Sequence, residues 1–100
     1  MSQLHLIQSP ITFQTFKKRY ALCVDASDSI LFLNDSLFSL THNEFHSDEF
    51  TELLTNTSYL YLNEQVEARA IYKLMHKAIK PIGYLEFVKL SQESSKIVSW

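Results

Sequence analysis

Cys23 is the only side chain in the sequence able to hold sulfur covalently, as a thiolate that becomes a persulfide. The apolar spacing around it places it near the C-terminal end of a helix, where the helix dipole opposes a thiolate. Asp25 and Asp28 lie close in sequence, and only Arg19, one turn back, would favour the anion. Because Cys23 also borders the face of Phe16, the expectation is a buried, inert thiol. One cysteine can form neither an internal disulfide nor a CxxC pair nor a thiolate metal cluster, which fits a reducing compartment.

The other groups of chemical interest are weaker. His42 and His46 stand four apart with Glu44 between them, but a zinc-binding helix needs the glutamate directly after the first histidine, where Asn43 stands. A polar loop without a metal is expected. Asp35 follows the second strand, where α/β sites gather, yet the acid pair that supports a phosphoacceptor aspartate is missing after strand one. His5 falls inside a strand pattern and His76 on the polar face of a long helix, both positions for structural or exposed histidines. The single glycine, Gly83, can build neither a GxGxxG nor a Walker loop, and there is no GxSxG nucleophile elbow. No cofactor is expected.

Arg69, Lys73, Lys77 and Lys80 fall within about 80° on one side of that helix and make a basic stripe. The ordinary explanation is a solvated face whose cations suit the helix C-terminus; an RNA-binding module using Arg69, Lys73 and Lys77 is the alternative. A net charge of −2 and a pI near 6.0 supply no general attraction to polyanions. Tyr59, Tyr61, Tyr72, Tyr84, Phe38, Phe45 and Trp100 exceed what a small core needs, and such a surplus is typical of protein–protein contacts.

The elements that would position these residues alternate between strand and helix. Leu4–Ile7 reads as a strand. Ser9 and Pro10 offer an N-cap and first helical residue for a helix with Phe13, Phe16, Tyr20 and Val24 on one face. Asp25 to Ser29 is turn chemistry before the apolar run Ile30–Leu33, a strand covered on both faces. Asn34 to Thr41 is a loop or short helical turn, and His42 to Asp48 is expected as the most mobile loop. Ser47 caps a short helix through Phe50, Leu53 and Leu54. Ser58–Leu62 is a third strand, and Asn63 caps a long helix with Val66, Ala70, Ile71, Leu74, Met75, Ala78 and Ile79 as its apolar stripe. Pro81 ends that helix, 80–82 is a short extended piece, Gly83 turns into a last helix through Leu85, Val88 and Leu90, and 96–100 is an edge strand. This order predicts an α/β, three-layer α/β/α domain over residues 1–100, with a mainly parallel sheet of four to five strands.

Composition agrees with a folded globule: 46% hydrophobic, 13% aromatic and 20% charged residues, with one glycine and two prolines. No apolar run approaches the roughly 20 residues of a membrane span and no secretory signal opens the chain, so a soluble cytoplasmic protein is expected. The sequons Asn34-Asp35-Ser36 and Asn56-Thr57-Ser58 then have no glycosylation chemistry to serve.

Specific residues follow the same order. Leu4-His5-Leu6 with Ser9-Pro10, the stretch from Asp28 to Asp35, Tyr61 to Arg69, Ile82-Gly83-Tyr84, Glu86 to Leu90 and Trp100 together resemble the TusB/DsrH family, collinearly over nearly the whole chain. The resemblance implies a DsrEFH-like fold assembled with TusC-like and TusD-like sister subunits into a heterohexamer. It further implies a sulfur relay that passes persulfide towards 2-thiolation of the tRNA wobble uridine, with tRNA met only indirectly. In that relay the sulfur-carrying cysteine belongs to a sister, and this chain looks like a structural subunit. Some relatives linked to sulfur oxidation carry a cysteine in helix one; Cys23 lies about one turn later, which keeps direct persulfide transfer as an alternative. Ser36 stands where a glycine is common in the family. In isolation, a surface shaped for sisters would favour self-association.

Overall fold

A computed structural model describes residues 2–54 and 57–100, so Asn56 of the second sequon lies outside the described residues. Five strands, β1 (Gln3–Ile7), β2 (Ser29–Phe32), β3 (Ser58–Leu62), β4 (Lys80–Ile82) and β5 (Lys96–Ser99), form one sheet in the order β4-β3-β2-β1-β5, every pair parallel. The chain steps outward from β1 to β4 and then returns across the sheet to β5. Because such crossovers keep one hand, the outward and returning connections lie on opposite faces.

The outward connections cover one face. They comprise α1 (Phe13–Cys23), α2 (Ser36–Ser39), a 3₁₀ turn at Asn43–His46, α3 (Asp48–Leu54), α4 (Asn63–Ala68) and a second 3₁₀ turn at Tyr72–Leu74. Strand alternation sends Ile7, Ile30, Phe32, Tyr59 and Tyr61 into this layer, where the Phe16 ring stacks on Phe13, meets Phe45 and Phe50 edge-on and lies tilted against Phe32, Tyr59 and Trp100. The other face carries Leu4, Leu31, Leu33, Leu62 and Ile82 under a single helix, α5 (Tyr84–Glu93), through Phe87 and Leu90. The architecture is the expected three-layer α/β/α with five strands, but one outer layer is thick and the other is one helix wide.

On the thick-layer side of β1, a buried polar group ties three strands together. The Asp28 carboxylate accepts the backbone N–H groups of Gln3 (2.9 Å) and Asp25 (3.0 Å), and lies 2.9 Å from His5 Nε2. The Trp100 indole N–H, which can only donate, points at His5 Nδ1 at 3.0 Å. His5 Nδ1 is therefore an acceptor and His5 Nε2–H donates to Asp28. Burial pushes the Asp28 carboxyl up, but the two backbone donors and His5 outweigh it and hold it below the usual carboxylate value of 3.8.

Several sequence expectations need correction. Thr12, not Ser9, caps α1, its Oγ1 accepting the Thr15 N–H, because Ile11 N–H is first held by Ser39 Oγ and the chain turns only after it. The segment His42 to Asp48 is no open loop: its 3₁₀ turn buries Phe45 in the aromatic cluster. Ser47 does cap α3, accepting the Phe50 N–H. The long helix does not form. α4 ends after six residues, where Arg69 and Ala70 N–H close tight turns on Gln65 and Glu67 carbonyls and Ala70 takes φ 54°. Val66, Ile71, Met75 and Ile79 are buried all the same, so a repeat of four to five residues serves the core through short turns as well as through a helix. In α5, Leu85 and Val88 are exposed and not core residues. Ser36, at the position where glycine is common, is buried, and its hydroxyl reaches the Ile7 and Leu33 carbonyls; the left-handed conformation is taken by Asn34 instead, at φ 57°.

Asp28→Asn puts an amide N–H₂ among three donors and removes charge-assisted bonds, so an unfolding titration should show a loss of about 2–4 kcal/mol. A loss under about 0.5 kcal/mol would contradict the role given to this carboxylate.

Candidate docking site and the lone thiol

Cys23 is the last residue of α1, as expected, but it is exposed and not buried. The helical spacing does align it with Phe16; however, Tyr20 is the last residue of α1 that packs on the aromatic cluster, and Ala21, Leu22 and Cys23 beyond it are exposed. The thiol donates to the Arg19 carbonyl at 3.0 Å, a bond that requires the sulfur to keep its hydrogen. Arg19, the one cation placed to favour a thiolate, instead lays its guanidinium over the Trp100 ring at 5.4 Å. Cys23 is thus accessible, at a helix C-terminus and with its hydrogen given to a backbone carbonyl.

With the long helix gone, the basic stripe is not a helix face. Arg69 closes α4, Lys73 lies in the 3₁₀ turn, Lys77 follows it and Lys80 opens β4. Lys73 and Lys77 still line one cleft of about 360 Å³ with Tyr61, Tyr72 and Pro81 beside the β4 edge. The Arg69 guanidinium sits 5.8 Å from the Phe38 ring centroid. Phe38, Tyr72 and Leu74 remain about half exposed or more around these cations. Of the aromatic surplus, Phe38, Tyr72 and Tyr84 are on the surface, whereas Phe45, Tyr59 and Tyr61 are buried and Trp100 is half-buried against the thick layer. Sequence alone had no way to separate the two groups, because alternation in β3 identifies a face and not which face is thick.

Asp35 is exposed and opens α2. His42 lies in extended backbone before the 3₁₀ turn and does not share a helix face with His46. His46 instead stacks on His76, ring centroids 5.8 Å apart, a pairing with no local signal because the two residues are thirty apart in the chain. His76 Nδ1 accepts the Ala78 N–H at 3.0 Å, its Nε2 meets Thr51 Oγ1 at 3.3 Å, and His46 Nε2 donates to the Leu40 carbonyl. Partial burial, and then the neighbouring His46, lower the His76 pKa below 6.5. Among the described residues, no three His, Cys, Asp or Glu side chains come together in the manner of a metal site. No helix among them is long and apolar enough to cross a membrane.

What the surface offers is therefore apolar and aromatic area beside fixed cations, on two sides of the sheet. One region is the Phe38–Arg69 pair, followed along the chain by the exposed Tyr72 and Leu74 of the 3₁₀ turn; the other is α5 with Tyr84, Leu85 and Val88, together with Ile97 of β5. Exposed large apolar side chains in groups of this kind mark contacts with other proteins.

A family model described as DsrH like protein matches residues 8–97. No curated protein matches the chain.

Two measurements test the geometry. Native protein should release close to one equivalent of thiolate reporter from a disulfide reagent without denaturant, where a buried Cys23 would give none. Because the unfolded state binds the His76 proton at a higher pH than the folded state, the stability tied to this group is present above pH 6.5 and lost as pH falls through the folded pKa. His76→Gln should flatten the fall in unfolding midpoint between pH 7.5 and 5.5; an unchanged slope would assign it elsewhere.

Proposed function

The chain belongs to the DsrH-like family, a family of sulfur-relay subunits, and from that premise we propose that it is a structural, non-catalytic subunit of a sulfurtransferase complex. The complex would act in the cytoplasm, pass persulfide sulfur for 2-thiolation of the tRNA wobble uridine, and join this chain to TusC-like and TusD-like sister subunits in a heterohexamer. The observation that carries the reading is the pairing of a family match over residues 8–97 with large apolar and aromatic side chains left exposed on the surface.

The docking site for a sister subunit is the region of Phe38, Arg69, Tyr72 and Leu74. Tyr72, 63% exposed, is a rigid amphipathic anchor of the kind that dominates interfaces. Arg69, already held over Phe38, loses little freedom on contact. Direct sulfur transfer through Cys23 is the second reading, favoured by the exposure of the thiol. Against it stand the bond to the Arg19 carbonyl, the helix C-terminus and the diversion of Arg19 to Trp100. The lysines beside Tyr72 would then serve an acidic rim on a partner and not RNA.

Co-expression with TusC-like and TusD-like subunits should yield a stable complex, from which a Phe38→Asp, Tyr72→Asp double variant dissociates with affinity lowered at least about 100-fold. Cys23→Ser should assemble and support 2-thiouridine formation at the wild-type level. Failure to co-purify would overturn the subunit reading, and loss of thiolation with a persulfide found on Cys23 by mass spectrometry would replace it with the carrier reading.

A further inference from the structure

α5 is a helix of three sectors. At 100° per residue, Phe87, Leu90 and Ser94 share the side that faces the sheet, and Leu85 stands about 170° away from their mean direction. Leu85 is 87% exposed, which places a full leucine on the crest of a surface helix. Tyr84 and Val88 lie on one flank of it, each about half exposed, and Glu86 and Glu93 on the other, with Lys89 between Leu85 and the glutamates. The charged flank lines a cleft with Leu60 and Ile82, over β3 and β4, so Tyr84 and Val88 face towards β1 and β5. On that side Ile97, paired in register with Leu4 and therefore on the same face of the sheet, is also half exposed. No residue of α5 is fully buried.

We propose that this surface is a two-fold interface at which α5 packs antiparallel on α5 of a second copy of this chain. The charge pattern is self-complementary in that arrangement. A dyad across the midpoint between Phe87 and Val88 brings like flanks together and sets Lys89 level with Glu86 of the second copy, and Glu86 level with its Lys89. The same dyad packs Val88 against Val88 of the second copy and sets Leu85 two residues' rise from level with that valine. The exposed parts of Tyr84, Leu85, Val88 and Ile97 amount to roughly 400–500 Å² of apolar area, and a rim of Glu86, Lys89, Gln92 and Lys96 brings the total towards the roughly 800 Å² per partner of a standard interface. A hexamer of three kinds of subunit holds two copies of each, so the contact is compatible with the assembly proposed above. It uses a different face from the sister-docking region, and its test needs no sister.

Sedimentation equilibrium of the isolated chain at about 100 µM in low salt should give twice 11.7 kDa. Leu85→Glu, at a position too exposed to affect folding, should be monomeric with unchanged circular dichroism and unfolding midpoint. Lys89→Glu should weaken the dimer about tenfold or more by opposing like charges, and Glu86→Lys combined with Lys89→Glu should restore it to within about threefold. A monomeric wild type, a Leu85→Glu variant that remains dimeric, or a charge reversal that fails to rescue would each overturn the proposal. None of these outcomes bears on whether the chain joins its sister subunits through Phe38 and Tyr72.

Discussion

A parallel sheet has to be covered on both faces, because its strands present apolar side chains to each side and its crossovers bring the covering helices with them. In this protein three of the four crossovers lie on one side. The result is a thick aromatic layer, with Phe16 at its centre, and an opposite face whose whole cover is the ten-residue helix α5. That asymmetry follows from strand order alone: stepping from β1 to β4 and returning once to β5 leaves one connection for the far side. Exposed leucine, valine and isoleucine on the thin side are its direct consequence.

The polar group at His5, Asp28 and Trp100 answers a different need. β5 is an edge strand of four mostly exposed residues, and apolar burial does little to hold it. Its register against β1 is fixed instead by the Trp100 N–H on the Leu6 carbonyl and by the indole N–H on His5, with Asp28 completing the chain of donors from the β2 side. The Asp28 carboxylate is met by three donors and both His5 nitrogens have partners, so the network specifies alignment with its buried charge fully hydrogen-bonded. His5, which reads from sequence as an unremarkable strand histidine, is thus the hinge between three strands.

Strand positions were legible because each is a short apolar run bounded by turn residues, and all five appear near their expected places, including the edge strand at the end. The helix after β3 was not. Spacings of four to five residues between Val66, Ile71, Met75 and Ile79 satisfy a helical pattern, yet the same spacing arises when short turns run along a buried surface, and only the tight turns at Arg69 and Ala70 separate the two cases. With the helix went the basic stripe, whose geometry existed only on that helix. The exposed side chains were partly visible: an excess of aromatics pointed to contact, but Tyr59 and Tyr61 turn out to line the thick layer, while Leu85 and Val88, which mark the last helix in the sequence, are on its surface. Periodicity reports that a residue has an apolar face to meet; it does not report whether this chain supplies the other half.

Cys23 shows the limit from the other direction. Its helical phase predicts burial, and the phase is right, but the last core contact of α1 is made by Tyr20, and the three residues after it are exposed. Exposure alone does not make a thiol a sulfur carrier, since the nucleophile is the thiolate and needs positive potential or an N-terminal dipole to form readily. Here the dipole has the opposite sign, the sulfur is committed as a donor to the Arg19 carbonyl, and the Arg19 guanidinium is occupied by Trp100. The tryptophan that secures the edge strand therefore also draws the Arg19 guanidinium onto its own ring, so one contact ties the end of β5 to the last turns of α1.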